Sequence, residues 1–403
     1  MRRILKNGTI ITPIRTAEHS SVIIEGDTIT AIVPDSELET CETDEVIDVG
    51  GRFITPGFID IHSHGGGGHD FMDGSVDAIM GAARSHVCFG TTTILPTTVT
   101  STWDELDSTL AQFAQAQAEI ELGPNIAGVH LEGPYFSMEQ RGAQDPRYIK
   151  TPDPSEYRRV AEYTNLVKRW TIAPELPGAL EMGRFLSERG ILCSIGHSNA
   201  IYEEVVAAVE SGYSLVTHLF SGMSSVRRIN AYRYAGVLES AFLLDDLTVE
   251  VIADGVHLPK SLLQLTYKVK GPNAICLVTD SMRGAGMPEG ESILGSLSDG
   301  QKVIIEDGVA KLLDRSAFAG SVCTADRLVR TMVKVAEVPL SDAVRMATLT
   351  PAKVLGLHHR KGKLAAGMDA DIVVFDSNID VFLVLVGGQV CFDANSMDRG
   401  VNA

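Results

Sequence analysis

His62 and His64 stand one residue apart at the end of the apolar run Phe58-Ile-Asp-Ile-His62, and the four glycines Gly65 to Gly68 follow. Side chains at i and i+2 of a strand point the same way, so both rings can face one point. Imidazole nitrogen is a common ligand for divalent transition metals. The glycines would let the backbone pass close to whatever binds there. Two hydrogen-bonded loop histidines would look the same, so the remaining polar residues have to decide.

Further polar residues also sit at the ends of apolar runs. They are His130-Leu-Glu132-Gly-Pro134, His197-Ser-Asn199, His218, Ala253-Asp-Gly-Val-His257 and Thr279-Asp280-Ser281. Any one of them could be a satisfied core or loop residue. Several at one mouth make a two-metal site. A bridging carboxylate would hold two cations ~3.5–4 Å apart, and water between them loses a proton near neutral pH. Glu132 is the candidate bridge. His62, His64 and Asp280 complete one group, and His197 and His218 the other. Asp280 can also serve as general base, binding metal through one oxygen and taking a proton with the other. The set holds nitrogen and oxygen ligands only, which suits zinc, iron or manganese.

The other histidines have plainer readings. His19, His358 and His359 lie among polar residues and face solvent; His86 lies in a helical pattern and packs or caps. His69 is a candidate to support a ligand. His130 and Asp60 share strands and faces with Glu132 and His62, so each either orients a ligand or fills the core.

These residues need a scaffold that gathers strand ends. Eight apolar strand candidates occur in the middle of the chain: Phe58–His62, Thr92–Pro96, Ile126–Glu132, Trp170–Pro174, Leu192–His197, Leu215–His218, Thr248–Ala253 and Ala274–Thr279. Helical patterns intervene at Ser75–Val87, Thr102–Ile120, Ile201–Glu210 (with Asn199 as cap and Gly212 as stop) and Pro259–Lys268. Repeated strand–helix alternation predicts an α/β fold, a (β/α)8 TIM-like barrel, whose chemistry sits at the strand C-termini. An open doubly wound sheet is the alternative, but no G-x-G-x-x-G follows an early strand. Two more helices, Ala325–Val335 and Ser341–Leu355, pack outside.

Both ends of the chain read as strands with turns at Gly8, Gly26-Asp27, Gly50-Gly51 and Gly387-Gly388. This predicts a small β-sandwich domain formed from residues 1–54 and 360–403 around a barrel domain of residues 55–359.

The net charge of −18 and the absence of a basic stripe argue against nucleic acid as partner. No apolar run approaches the length of a membrane span, and the N-terminus has no signal-peptide pattern. The six cysteines form no C-x-x-C. Reduced thiols in a cytoplasmic protein are expected.

The motifs PGFIDIHSHGGGG, HLEGPY, GHSNA, THLF-x-x-M, ADG-x-H and TDSM, in this order over residues 56–282, resemble the amidohydrolase superfamily. Within it the chain is similar to the N-acetylglucosamine-6-phosphate deacetylase family. The flanking strand-rich ends and Ala319-Gly-Ser321 extend the resemblance to nearly the whole chain. Many superfamily members bridge their metals with a carboxylated lysine after strand four. Here strand four ends in Ala173-Pro-Glu175, and Glu132 takes the bridging place.

The resemblance implies hydrolysis of the acetamide of an amino-sugar 6-phosphate, with Asp280 accepting a proton and returning it to the leaving nitrogen. Some members have Gln-x-Asn in place of His-x-His and hold one metal, so His62 and His64 imply two. On the substrate side the resemblance implies Gln144 where the family often has histidine, Ser221-Gly222 where it has Asn-Ala, and Ala319. It also implies Arg233 and His257 as phosphate contacts, with Arg227 and Arg228 nearby. The family's arginine reaches a neighbouring subunit, which implies a homodimer. These departures leave the sugar's epimer open, and with it the alternative of another cyclic-amide or N-acyl substrate. A non-catalytic scaffold is the more distant alternative, because every expected ligand position is filled.

Overall fold

A computed structural model describes residues 2–12, 15–163 and 165–395. Eight parallel strands carry the middle of the chain. They are β1 (Phe58–Ser63), β2 (Thr91–Pro96), β3 (Val129–Glu132), β4 (Val167–Ile172), β5 (Leu192–Ile195), β6 (Tyr213–Val216), β7 (Thr248–Val251) and β8 (Ile275–Leu277). Every residue of β1, β2 and β3 is buried, as expected of parallel strands covered on both faces. Strands β3 to β8 form one six-stranded parallel sheet in sequence order. Strands β1 and β2 belong to a second sheet with Asn125–Ile126. Parallel bridges at Thr97–His130 and Ser63–Ser281 join the two sheets at both ends.

Local sequence explains the helices between the strands. Ser75 caps Val76–Ser85 by accepting from Ala78 N–H, and Thr102 caps Trp103–Glu119 by accepting from Glu105 N–H. The helix after β5 runs Tyr202–Glu210, and its cap differs from expectation. Ile201 occupies the cap position, and Glu204 reaches back to accept from Ile201 N–H at 2.8 Å. Asn199 bonds instead with Glu175 and Glu139. The expected helix over 341–355 is two helices, Leu340–Ala347 and Leu349–Val354, divided at Thr348.

Strands from both ends of the chain meet in a single eight-stranded sheet. Phe53–Pro56 pairs with Ile372–Phe375 in it, so that strand straddles the expected boundary at 54/55. The sheet has its own core of Leu5, Ile10, Val22, Ile54, Ile372 and Leu383. It also packs on β1, where the Phe58 and Phe375 rings lie 6.2 Å apart. Gly8 lies inside the first strand at a register shift and makes no turn.

Two features were not anticipated. A four-stranded antiparallel sheet covers Gly290–Leu294, Gln301–Glu306, Val309–Leu312 and Phe318–Ser321. A short hairpin pairs Arg227–Ile229 with Tyr232–Tyr234. Among the described residues, no helix is long and apolar enough to cross a membrane.

Candidate metal and active site

The ends of β1, β3, β5, β6 and β8 deliver their polar residues to one place. Glu132, at the end of β3, is the centre. Its Oε1 lies 3.5 Å from His62 Nε2, 3.3 Å from His197 Nε2 and 3.2 Å from His218 Nε2. Its Oε2 lies 3.4 Å from His64 Nε2. Asp280 Oδ1 lies 3.4 Å from His62 Nε2 and 3.2 Å from His64 Nε2. Two groups able to hold a metal ion follow, His62–His64–Glu132 and Glu132–His197–His218, with Glu132 common to both. His197, His218 and Asp280 all have positive φ (48°, 31° and 44°), uncommon for non-glycine residues. The turns that aim these side chains back over the strand ends hold that strained geometry.

The chemistry of the donors fits a cation. His62 Nδ1 faces Glu250 Oε2 at 3.1 Å, His197 Nδ1 faces the Gln140 carbonyl at 2.9 Å, and His218 Nδ1 faces the Ser221 carbonyl at 3.1 Å. Those acceptors place the ring proton on Nδ1, which leaves each Nε2 of a neutral ring as a lone pair. Three lone pairs then converge on a carboxylate oxygen in a buried site. Acceptors facing acceptors repel unless positive charge lies among them. The buried His62 Nε2 has no hydrogen-bond partner.

Without a metal, protons must supply that charge. Burial pushes His218 down, but its contact with Glu132 outweighs this and lifts it to about 9. His64 is also held well above its ordinary value, with Asp280 and Glu132 overcoming burial. Burial raises Asp280, yet the facing His62 and His64 pull it down to about 2.

A cleft opens over this centre, lined by His64, Glu132, Gln144, His197, His218 and Asp280, with Ser221, Gly222, His257 and Phe318 around it. Gln144, Ser221, Gly222 and His257 are thus brought together with the metal-ligating candidates. Asp254 accepts from His257 Nδ1 at 2.7 Å, which fixes that ring. Two substrate candidates are not brought there. Ala319 is fully buried and packs with Met282 and Leu294, while its neighbours Phe318 and Gly320 line the cleft. Arg233 is exposed on the hairpin, paired opposite Arg228, and does not line the cleft.

The glycine run serves packing. A Cβ at Gly65 would stand 2.3 Å from the His69 carbonyl, and one at Gly66 would stand 2.7 Å from Ser85 Oγ. His69 is exposed and supports no ligand candidate. His130 is buried edge-on to His62, ring centroids 4.7 Å apart, and bonds with Thr97 and Thr171. His86 is buried, its Nε2 3.1 Å from the Gly65 carbonyl.

Arg169 and Glu250 escaped the sequence reading. Both are fully buried and paired beneath the site. A signal was present: each is a charged residue inside an apolar strand, Val167-Lys-Arg-Trp170 and Thr248-Val-Glu-Val251. Such residues are almost never fully buried unless paired.

The amidohydrolase family model matches residues 53–396. The N-acetylglucosamine-6-phosphate deacetylase of Lysinibacillus sphaericus is 34% identical over 86% of this chain and 87% of its own length. That of Haemophilus influenzae is 34% identical over 96% and 99%. The crystal structure of the Pasteurella multocida N-acetylglucosamine-6-phosphate deacetylase superposes with a TM-score of 0.90 at 29% identity, covering 97% of this chain and 99% of that one. A mutant of the Mycobacterium smegmatis deacetylase, solved in complex with N-acetyl-D-glucosamine 6-phosphate, superposes at 0.87 with 30% identity over 97% and 99%. With its strand-end histidines, its central carboxylate and this likeness along nearly its full length, the chain belongs to the amidohydrolase family, on the branch of the N-acetylglucosamine-6-phosphate deacetylases.

Proposed function

We propose that the chain hydrolyses N-acetylglucosamine 6-phosphate to glucosamine 6-phosphate and acetate. The carrying observation is the convergence of four histidine Nε2 atoms on Glu132, with Asp280 against two of them, beneath an open cleft. The relatives' shared activity and the sugar phosphate held by the Mycobacterium smegmatis protein support the substrate.

In this reading His62, His64, Glu132 and Asp280 would hold one divalent transition metal ion, and Glu132, His197 and His218 would hold a second. Zinc or iron fits the nitrogen and oxygen donors, and manganese fits too. Bound there, the cations would polarise the acetyl carbonyl and lower the pKa of water. Asp280 takes the proton released on attack and delivers it to the departing nitrogen. Gln144, Ser221, Gly222 and His257 surround the sugar, and the backbone beside Ala319 completes the wall. Arg233 reaches the phosphate of a neighbouring subunit's site in a homodimer, which agrees with its exposed place on the hairpin.

The eight parallel strands with their two bridging contacts read as a closed (β/α)8 barrel. The eight-stranded sheet built from both ends reads as a small β domain beside the barrel domain, with the boundary after Pro56 rather than at 54/55. A cytoplasmic location goes with the six free thiols.

The position of Arg233 also favours a second reading. If no neighbouring subunit brings it to a site, the cleft would take another N-acetylated amino sugar, such as N-acetylgalactosamine 6-phosphate, or another N-acyl substrate. The test is formation of glucosamine 6-phosphate, followed by NMR, on addition of N-acetylglucosamine 6-phosphate to metal-loaded protein. Turnover that a chelator abolishes and added metal restores supports the proposal. Metal-loaded protein that leaves the sugar phosphate intact refutes it.

A further inference from the structure

The Glu250 carboxylate touches both metal-ligating groups from below. Its Oε2 accepts from His62 Nδ1 at 3.1 Å and from the His218 backbone N–H at 3.1 Å. Its Oε1 accepts from Arg169 Nη1. The guanidinium makes three further bonds. Nη1 also reaches the Ile61 carbonyl at 3.1 Å, Nη2 reaches Thr217 Oγ1 at 2.8 Å, and Nε reaches Ser194 Oγ at 2.9 Å. Residues on or directly after β1, β4, β5, β6 and β7 are therefore tied to one buried pair.

Stability alone does not account for this pair. Taking two charges out of water costs several kcal/mol per ion, and well-packed apolar residues of the same volume often do as well or better. Placement accounts for it better. An imidazole that ligates through Nε2 needs its Nδ1 proton held and its ring orientation fixed, and a carboxylate behind the ring does both. His62 is the one ligand candidate here whose Nδ1 faces a carboxylate. His197 and His218 face neutral carbonyls.

We infer that Glu250, held by Arg169, is a positioning residue that fixes the tautomer and orientation of His62 and so sets the affinity of the His62–His64–Glu132 group for its metal ion. This rests on the metal-dependent reading above. Glu250 is fully buried, and His62 is the one ligand candidate whose ring it touches; at His218 it meets the backbone N–H alone.

The test is calorimetric titration of metal-stripped protein with Zn²⁺ at one fixed pH, with thermal melting alongside. Wild type is compared with Glu250→Gln and Glu250→Asp. The aspartate keeps a charge opposite Arg169 but is one methylene too short for His62, so it separates reach from fold stability if the glutamine variant does not fold. The expected result is two ions on wild type and, on either variant, one ion weakened about 10–100-fold with the other close to wild type. In a His62→Ala background, Glu250→Asp should leave the remaining ion's affinity unchanged. Wild-type affinity for both ions in the aspartate variant would overturn the inference, as would an undiminished effect in the His62→Ala background. Wild-type protein that takes up no Zn²⁺ would overturn the metal reading itself, a result distinct from either.

Discussion

Gln144 donates from Nε2 to Glu132 Oε2 at 2.7 Å, while its Oε1 accepts the Thr100 backbone N–H at 3.0 Å. The amide can sit only one way round, since a flip would set two acceptors together and two donors together. It therefore steadies the carboxylate shared by both metal-ligating groups. Gln144→Ala should lower kcat/KM about 10–100-fold and weaken metal binding, as loss of an outer partner does. Steady-state kinetics with metal titration checks this. Unchanged metal affinity would limit Gln144 to substrate contact.

Among the described residues lining the cleft, Asp280 is the one carboxylate besides Glu132, and its facing histidines hold it ionised in the metal-free protein. Asp280→Asn removes the proton acceptor at nearly constant volume. We expect kcat to fall about 10²–10⁴-fold with little change in KM. A variant within a few-fold of wild type would remove Asp280 from proton transfer.

Metal uptake should release protons. His218 sits at about 9 in the metal-free protein, so it is protonated through neutral pH, and that proton is lost as pH rises through the folded value. A ligating imidazole must give up the proton, so apparent affinity should fall as pH falls below this value. Calorimetry in two buffers of different ionisation enthalpy should give net proton release near neutrality. No release would mean that the histidines are already neutral.

Replacing His62 and His64 with Gln and Asn removes two nitrogen donors from one group and leaves Glu132, His197 and His218. Bound metal should drop from two ions to one per chain. Elemental analysis under saturating metal reads this directly. One ion on wild type would contradict the two-site reading.

Arg283 ties the segment after β1 to the four-stranded sheet. It pairs with Asp73 at 2.8 Å and reaches the Ile293 and Gly295 carbonyls at 2.8 and 2.6 Å. Both side chains of the pair are buried. Arg283→Met leaves Asp73 uncompensated and should cost about 3–5 kcal/mol. Denaturant unfolding checks this, and a loss under ~1 kcal/mol would show that water reaches Asp73.

Residues that act along their own strand were readable in advance. His62 and His64 follow from period 2, and Glu132, His197, His218 and Asp280 from their places at the ends of apolar runs. Arg169 and Glu250 were not, because their partners lie on other strands and only the register across the sheet brings them together. The same holds for the cap at Ile201. Asn199 is the better capping residue by type, but Glu175 and Glu139 compete for it. The four-stranded sheet was missed because its strands are short and glycine-punctuated, and they resemble loop. For Arg233 the local spacing pointed to the cleft, but the residue stands exposed on the hairpin, outside the cleft lining.

The most direct test of the account is acetate release by metal-loaded protein from N-acetylglucosamine 6-phosphate beside unphosphorylated N-acetylglucosamine. The account predicts rapid release from the phosphorylated sugar and a much lower kcat/KM for the other, with Arg233→Ala narrowing the gap by raising KM for the phosphorylated sugar alone. Equal rates on both sugars, or release from neither with metals bound, would contradict it.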